Sequence, residues 1–165
     1  MMIAITGVNG LVGNFLSNKL STNQQILRLS THPIMNDIKL VNGIPQNCEY
    51  HNIDAIIHCG GSVGGNFTKE EHFYNNVLCT KNLIHWCENN NIKHFLFLSS
   101  GAVYGSNDEW VEETAKLNPE NYYAESKILA EQVVLESSIK YKTILRLYFP
   151  FGISSKENLF FRLFN

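Results

Sequence analysis

Three kinds of side chain stand close enough in this sequence to act on an alcohol. Tyr123 and Lys127 are four residues apart, and a serine pair, Ser99 and Ser100, precedes them. Residues four apart lie on one face of a helix, so an ammonium group would stand beside a phenol there. A phenol has a reference pKa of about 10, and a nearby positive charge favours its ionised form. A serine could then hold a substrate oxygen while the tyrosine moves its proton, which suits redox chemistry.

Tyrosine and lysine also meet at helical spacing by chance, as a surface ring lying along a lysine stem. The elements around the pair decide between the two interpretations. Residues 94–98 are short, apolar and aromatic, as a buried strand is, and they run directly into the serines. Apolar residues then recur at helical spacing after the pair: Ile128, Leu129, Val133 and Val134. Glu131 and Gln132 fall on the other face of this predicted helix.

Length and composition exclude several classes of protein. The chain has 165 residues, which is one domain by length and enough to bury a core. A net charge of −2 gives no electrostatic reason to expect nucleic acid or a membrane surface as partner. No apolar run approaches a membrane span, and no signal peptide opens the chain. Scattered cysteines and histidines without ligand spacing predict no metal and a reducing, cytoplasmic compartment.

A glycine-rich turn lies at the first junction between a predicted strand and a predicted helix. Residues 2–6 are apolar and short, Gly7, Gly10 and Gly13 follow, and apolar residues then recur at helical spacing. Gly7 allows the tight turn, Gly10 lets a pyrophosphate approach the backbone, and Gly13 lets the helix pack on the strand. The helix N-terminus attracts the phosphates. The spacing is G-x-x-G-x-x-G, and a turn without a ligand is the alternative interpretation.

The second predicted strand, residues 25–29, ends where dinucleotide-binding folds commonly carry an acid for the ribose. Ser30 stands there, with no acid beside it, so nothing repels a 2′-phosphate. Arg28 or His32 could bind such a phosphate. The sequence therefore leans slightly towards NADP.

The rest of the chain alternates between strands and helices. Residues 33–52 leave room for a short helix and a short strand near 48–51, and residues 52–58 predict a buried strand. That strand ends on the small residues Cys59, Gly60 and Gly61, which let a ligand lie against the backbone. A long helix over 69–90 and a strand over 143–148 complete the pattern. This alternation predicts an α/β fold with a doubly wound parallel sheet, whose carboxyl edge carries all of these motifs.

Together these stretches resemble the extended short-chain dehydrogenase/reductase family. Its members are NAD(P)-dependent epimerases, dehydratases and reductases that act on sugar nucleotides. The matching stretches follow the family's order and cover nearly the whole chain: residues 6–13, 54–58, 76–77 with 82–83, 99–105, 123–127 and 146–152. The resemblance implies a Rossmann-like domain that binds NAD or NADP and a nucleotide-sugar as the small-molecule substrate.

The resemblance also implies roles for single residues. Ser100, Tyr123 and Lys127 would form the catalytic group, with Ser100 preferred over Ser99 because it stands four residues before Tyr104. The pyrophosphate would be held by five residues: Gly7, Gly10, Leu11, Val12 and Gly13. Further contacts with the cofactor would come from Cys59, Gly60, Gly61, Asn76 and Tyr148.

Departures from the family pattern reduce the number of reactions that the resemblance implies. Gly101 and Ala102 stand where dehydratases of the family carry Asp-Glu, which leaves epimerase or reductase chemistry. Phe149 replaces an Asn that touches substrate in epimerases. The region before Asp54 is short, which predicts an incomplete adenine pocket.

The chain is also shorter than family members. Residues 1–152 would form the NAD(P)-binding domain, and residues 153–165 would begin a substrate region that is missing or vestigial. The apolar tail from residue 159 would pack on a second subunit, or the chain would be a shortened form. A non-catalytic NAD(P)-binding module, or a fragment that binds nothing, are the alternative functions.

The two long predicted helices, 69–90 and 122–138, carry apolar residues beyond one narrow stripe: Ile84, Trp86, Val133 and Leu135. Relatives commonly pack these helices into a four-helix bundle. The resemblance therefore implies a homodimer, and helices that only cover the sheet are the alternative.

Overall fold

A computed structural model describes residues 1–34, 36–48, 52–64, 66–106 and 110–150. In these residues the strands are β1 Met2–Thr6, β2 Gln25–Ser30, β3 Ile38–Val41, β4 Ile44–Pro45, β5 Ala55–His58, β6 His94–Ser100 and β7 Tyr141–Leu147. The α-helices are α1 Leu11–Leu20, α2 Lys69–His72, α3 Cys79–Asn89 and α4 Tyr122–Glu136. A π-helical turn, Phe73–Leu78, joins α2 to α3, and a 3₁₀ turn, Gly101–Tyr104, follows β6.

The strands form one sheet in the order β4-β3-β2-β1-β5-β6-β7. All neighbouring strands are parallel except β3 and β4. Strand order reverses beside β1, where Ile5 lies opposite Arg28 of β2 on one side and Ile57 of β5 on the other. Ligands of doubly wound sheets bind at such a reversal, beyond the carboxyl ends of the strands. The predicted doubly wound parallel sheet is confirmed.

Side-chain alternation along the strands divides the core between the two faces of the sheet. On β6, Phe95 and Phe97 are buried with α3 and α4, and the register places Ile144 of β7 beside Phe97 on that face. On the other face, Ile3 and Ile5 of β1 pack with apolar residues of α1. Burying one large side chain contributes about 1.5–3 kcal/mol, so these layers hold the carboxyl edge in place. Within the described residues, no helix is both long and apolar enough to span a bilayer.

The helix predicted over 69–90 is present but is not uniform. Thr68 caps its start, and Glu71 completes a capping box. The π-helical turn then interrupts the α-helical pattern and buries Asn76 and Val77. Turns of this kind are inserted where a helix must re-aim its side chains, frequently at functional sites.

Residues 38–45 form a hairpin that the sequence analysis did not locate. Asn42 and Gly43 join β3 to β4, and both have positive φ, 51° and 85°. A two-residue turn of this kind favours Asn-Gly, so the signal was present in the sequence. The strand predicted near 48–51 falls largely on residues 49–51, which lie outside the described residues.

Glu131 is buried rather than placed on an outer polar face of α4. Its side chain is only 3 % exposed, and it accepts a hydrogen bond from the hydroxyl of Ser99. Arg146 of β7 binds both of its oxygens, with Nη2 2.7 Å from Oε2. A buried carboxylate is tolerated when it is paired in this way, and the partners are distant in sequence. The prediction from the apolar pattern that Glu131 lies on the outer face of the helix is therefore wrong.

Three of the four apolar residues predicted to lie beyond the core stripe pack in or against the core. Ile84 is buried, and Trp86 and Val133 pack against the buried residues. Leu135 is 59 % exposed, as predicted. The exposed apolar residues on the helical segment 69–89 are instead Phe73, Tyr74 and Leu78.

Candidate active site

Two adjoining cavities lie along the carboxyl edge of the sheet. The β2-side cavity, of about 410 Å³, lies beyond β2 and the hairpin. The β6-side cavity, of about 510 Å³, lies beyond β6 and β7 and beside the start of α4. Both are lined by Gly7, Gly10 and the Cys59–Gly61 segment, so they form one cleft across the point where strand order reverses. A cleft in this position suits a dinucleotide.

The glycine turn has the geometry of a phosphate cradle. Gly7 has φ +67°, and its carbonyl accepts a hydrogen bond from the N–H of Gly10. A Cβ on Gly13 would overlap the carbonyl oxygen of Gly7, so only glycine fits there. The first turn of α1, starting at Leu11 and Val12, has no side-chain cap and no acid. Its N–H groups are therefore open to an anion, and all five predicted pyrophosphate residues line the β6-side cavity.

The floor of the cleft is supported from beneath by a buried histidine. The N–H of Gly60 donates to Oγ1 of Thr6, which lies 2.6 Å from Nδ1 of His58. On the other side, Nε2 of His58 lies 2.9 Å from Oγ1 of Thr80, which itself donates to the carbonyl of Asn76. The hydroxyl hydrogen of Thr80 is thus already used in a hydrogen bond, so Nε2 of His58 must be the donor to Thr80.

His58 is neutral in this network. Burial, together with a smaller effect of the charge of Lys127, lowers its pKa to about 3. A neutral His58 can accept at one nitrogen and donate at the other, as the network requires. Its support of Gly60 was missed because nothing in the local sequence marks a histidine at a strand end as a loop anchor.

Asn76 lies behind the cleft and does not line either cavity. It is 1 % exposed, and its Oδ1 accepts a hydrogen bond from the N–H of Ser62 at 2.8 Å. Its Nδ2 donates to the carbonyl of Ser62 and to the hydroxyl of Ser126. The resemblance implied a contact with the cofactor; the structure places Asn76 where it positions the loop that forms the floor.

The two serines at the end of β6 point to opposite faces of the sheet. Both serines line the β6-side cavity, but the hydroxyl of Ser99 donates to Glu131 of α4, whereas the side chain of Ser100 hydrogen-bonds that of Tyr123. Ser100 also caps the 3₁₀ turn by accepting a hydrogen bond from the N–H of Ala102. These different partners support the choice of Ser100 over Ser99.

Tyr123 lies in the first turn of α4, because Asn121 caps that helix by accepting from the N–H of Ala124. It lines the β6-side cavity with Ser100 and Lys127. Burial raises the pKa of Tyr123, and a hydrogen bond with the side chain of Ser100 offsets part of that increase.

Lys127 points towards the end of β6. Its Nζ donates to the carbonyl of Leu98 at 2.6 Å and lies 4.1 Å from the ring centroid of Phe97. Burial lowers its pKa to about 8, against the opposing effect of the charge on Glu131. Burial is the largest effect on the pKa of Tyr123, and Lys127 is directed at the carbonyl of Leu98. A lowering of the pKa of Tyr123 by the charge of Lys127 therefore stays a prediction.

Tyr148 closes the far wall of the β6-side cavity. Its ring lies over Gly101, where a Cβ would come within 2.6 Å of the ring atoms. The ring is nearly parallel to that of Tyr104, at 6.5 Å between centroids. A small residue at position 101 is therefore required for Tyr148 to lie where it does.

The β2-side cavity lies where the sequence analysis expected an incomplete adenine pocket. Its walls come from the end of β2, the hairpin and α3, and include Ser30, Thr31, His32, Leu40, Gly43, Cys79 and Leu83. The hairpin tip is held on the helical segment, where Asn82 donates to the carbonyl of Asn42. A short hairpin thus supplies a wall that the sequence analysis assigned to missing elements.

Arg28 does not line the β2-side cavity. Its Nε lies 2.7 Å from Oδ1 of Asp37, and its Nη1 donates to Ser17 of α1. His32 does line the cavity, while the hydroxyl of Ser30 accepts hydrogen bonds from Asn9 and from the backbone of His32. Of the two residues predicted to bind a 2′-phosphate, Arg28 is thus already paired with Asp37. In the part of the chain that the structure describes, no three His, Cys, Asp or Glu side chains form a metal-binding group.

Solved structures of similar fold cover nearly all of this chain. MoeE5, in complex with UDP-glucuronic acid and NAD, has a TM-score of 0.86 at 21% identity, over 99% of this chain and 60% of that one. UDP-glucuronic acid 4-epimerase from Bacillus cereus, in complex with NAD, has a TM-score of 0.76 at 20% identity, over 92% of this chain and 58% of that one. TunA, an NAD-dependent NDP-hexosamine 5,6-dehydratase, has a TM-score of 0.81 at 19% identity, over 92% and 56%. The chain thus spans at most 60% of their length, and at these identities the likeness shows the fold alone.

The sequence itself identifies the family. The profile of the NAD dependent epimerase/dehydratase family matches residues 3–163, which include the glycine turn, the serine pair and the Tyr123–Lys127 pair. This match confirms the family resemblance, and the family's dependence on NAD agrees with the predicted cofactor. The chain belongs to the NAD-dependent epimerase/dehydratase family.

Proposed function

We propose that this chain binds a nicotinamide dinucleotide across the cleft and takes part in oxidation and reduction at an alcohol carbon of a nucleotide-sugar. One observation carries the proposal: Ser100, Tyr123 and Lys127 line the same cavity as the glycine turn. The nucleotide-sugar is proposed from the family and from the UDP-sugars bound in similar structures.

The shape of the cleft suggests how the dinucleotide would lie. The pyrophosphate would rest on the turn from Gly10 to Gly13, and the adenosine would enter the β2-side cavity. The nicotinamide end would enter the β6-side cavity, beside Lys127 and Tyr148. When bound, the nicotinamide ring exchanges a hydride with the substrate carbon.

Tyr123 would take the proton from the substrate hydroxyl, and Ser100 would hydrogen-bond the same oxygen. The buried phenol needs a positive charge nearby to ionise, since burial raises its pKa. Lys127 is the lysine closest to Tyr123 in sequence. Its side chain lines the same cavity as Tyr123. Release of Lys127 from the carbonyl of Leu98 would let it stabilise the phenolate and bind the nicotinamide ribose.

Among the described residues that line the β6-side cavity there is no carboxylate. Removal of water from a sugar needs an acid and a base in addition to hydride transfer. Gly101 and Ala102 occupy the positions where the family's dehydratases place that pair. The cavity therefore favours epimerase or reductase chemistry over dehydration.

A binding titration followed by a turnover assay tests the proposal. The oxidised and reduced forms of NAD and NADP are each titrated by fluorescence. UDP-sugars are then added while absorbance at 340 nm and sugar products are followed. We expect saturable binding and then hydride exchange with one sugar class. Absence of saturable binding of all four nicotinamide dinucleotides to the folded protein would contradict the proposal.

Binding without turnover would support a non-catalytic dinucleotide-binding module. That second function is favoured by the contact of Lys127 with Leu98 instead of Tyr123. Lys127→Arg tests this second function, because it moves the positive charge at this position. Turnover in the variant where wild type has none would argue against a non-catalytic module, since the other groups of the site would then be competent.

A further inference from the structure

A buried histidine that has no part in the proposed mechanism lies against Tyr123. His72 is the last residue of α2 and is only 2 % exposed. Its ring centroid lies 5.7 Å from that of Tyr123 and 5.6 Å from that of Phe67, with interplanar angles of 52° and 56°. Tilted contacts at this distance are favourable for aromatic rings. The imidazole therefore forms part of the surface that holds the ring of Tyr123.

The hydrogen bonds of His72 determine its tautomer. Nε2 lies 3.1 Å from the carbonyl oxygen of Gly64, which can only accept, so Nε2 carries the proton. Nδ1 is then the acceptor, and the hydroxyl of Ser62 donates to it at 2.8 Å. Both nitrogens of one ring thus bind the loop that continues the floor of the cleft.

This loop, residues 59–64, has few other side-chain anchors of its own. Gly60, Gly61 and Gly64 carry no side chains, and Asn76 holds both backbone groups of Ser62. Asn76 also binds the hydroxyl of Ser126, which donates to the backbone carbonyl of Tyr123. The loop is thereby tied to the backbone of Tyr123 through Asn76. It is tied to the ring of Tyr123 through His72.

We propose that His72 is a positioning residue that keeps the cofactor-binding loop 59–64 and the ring of Tyr123 in one mutual arrangement. The two nitrogens act on the loop, and the face of the imidazole acts on the tyrosine ring. The role of Tyr123 in this inference rests on the proposed function, whereas the role of the loop needs only dinucleotide binding.

Two substitutions separate these effects. His72→Phe keeps a ring against Tyr123 and Phe67 but removes both hydrogen bonds, which leaves the Ser62 and Gly64 groups without their partner. His72→Asn keeps an acceptor close to the place of Nδ1, where it can receive the Ser62 hydroxyl, but removes the ring. His94→Phe is the control, because His94 stacks on Tyr141 at the opposite edge of the sheet.

The loop is tested by amide hydrogen exchange of residues 59–64 in the free protein and by NADH titration. In His72→Phe we expect exchange about tenfold faster and a Kd about tenfold higher, since the loop must be reordered on binding. In His72→Asn, which keeps the bond to Ser62 but loses the donor to Gly64, both changes should be smaller than in His72→Phe. In His94→Phe, both quantities should stay within about threefold of wild type. Unchanged exchange and Kd in His72→Phe, whatever its melting temperature, would overturn the loop assignment.

The ring contact is tested by NMR of ¹³C-labelled tyrosine, with the Tyr123 signal assigned from Tyr123→Phe. We expect that signal to move and broaden in His72→Asn but to stay close to wild type in His72→Phe. The opposite pattern, or no change in either variant, would overturn the ring assignment. Failure of wild type to bind any dinucleotide would count against the proposed function, while exchange and NMR would still decide the role of His72.

Discussion

At the scale of single residues, burial sets the electrostatics of the β6-side cavity. Burial raises the pKa of Tyr123 and lowers that of Lys127 to about 8, so it disfavours the ionised form of both. The negative charge of Glu131 raises the pKa of Lys127 and so offsets part of the effect of burial. Any redox chemistry at this site therefore depends on where the lysine charge is placed.

Tyr123→Phe tests the proton carrier. It keeps the ring and its contact with His72 but deletes the hydroxyl, so turnover should fall by about 10²–10⁴. Dinucleotide affinity, measured by fluorescence titration, should change less than about threefold. Tyr122→Phe, at the exposed neighbouring position, is the control and should keep full activity. Turnover near the wild-type rate in Tyr123→Phe would remove the assignment of this residue.

Lys127 should make stability depend on pH. Its folded pKa, about 8, lies below its ordinary value of 10.5, so the unfolded chain binds more protons between these values. The free energy of unfolding of wild type relative to Lys127→Met should therefore rise over pH 8 to 10.5 and stay level below pH 8. The difference of about 2.5 pH units corresponds to an upper bound of about 3 kcal/mol. Urea unfolding of both proteins at several pH values measures it, and a relative decrease over that window would contradict the prediction.

Ser30 should control cofactor choice. Arg28 of β2 is bound by Asp37 and Ser17, so its guanidinium is not positioned to bind a 2′-phosphate. A carboxylate in Ser30→Asp would repel that phosphate and could accept from the ribose hydroxyls of NADH. We expect NADPH affinity to fall at least about tenfold and NADH affinity to hold or improve, as read from paired fluorescence titrations.

Asn36→Asp is the matched control for Ser30→Asp. It adds the same charge at an exposed position that does not line the β2-side cavity. Equal losses of NADPH affinity in both variants would show a general charge effect, and would place the ribose elsewhere.

At the scale of elements, the β3–β4 hairpin completes the β2-side cavity because its tip fits closely against α3. Leu40 and Gly43 line the cavity, and a Cβ on Gly43 would overlap the carbonyl of Cys79. The π-helical turn, the hairpin and the carboxyl ends of the strands thus meet around one ligand-sized space. A small shift of the hairpin would change that space directly.

Gly43→Ala tests this fit, with Gly64→Ala as a matched control. Both glycines have positive φ, 85° and 89°, so both substitutions strain the backbone by about 1 kcal/mol. A Cβ at Gly64 meets nothing within 4 Å, whereas one at Gly43 displaces the hairpin. We expect Gly43→Ala to cost about 1–3 kcal/mol more than Gly64→Ala in urea unfolding, and to weaken NADH binding about tenfold relative to wild type. Equal costs of the two substitutions in urea unfolding would show that the hairpin tip is not closely fitted.

At the scale of the whole molecule, the helical segment 69–89 and α4 cover one face of the sheet and expose apolar side chains to solvent. Those on the helical segment include Phe73 and Leu78, and α4 exposes Leu135. Scattered exposed apolar residues are ordinary, but a set on two packed helices favours a protein interface. The chain spans 56–60% of the length of the three solved proteins compared above, so the proposal concerns the assembly of this chain alone.

We propose that these two helices form a homodimer interface. Leu78→Glu should then yield a monomer, because a buried carboxylate without a partner is strongly unfavourable at an interface. Sedimentation velocity at micromolar concentration measures the change. Phe15→Glu on α1, where the side chain is also exposed, should leave the dimer intact. A wild-type protein that sediments only as a monomer would contradict the proposal.

The sequence by itself determined what depends on neighbours along the chain. The buried strands β1 and β6, the turn at Gly7–Gly13, the helix carrying Tyr123 and Lys127, and the parallel order of the sheet all follow from local periodicity and glycine placement. Even the Asn42-Gly43 turn had a local signal that was present but not used.

Only the tertiary structure decided which polar groups are partners. Glu131 binds Ser99 and Arg146, Arg28 binds Asp37, Lys127 binds the carbonyl of Leu98, and His72 lies against Tyr123. Most of these contacts join residues that are far apart in sequence and come from different strands and helices. Their energies depend on distance and burial, which the packing of the sheet and helices sets and local periodicity does not contain.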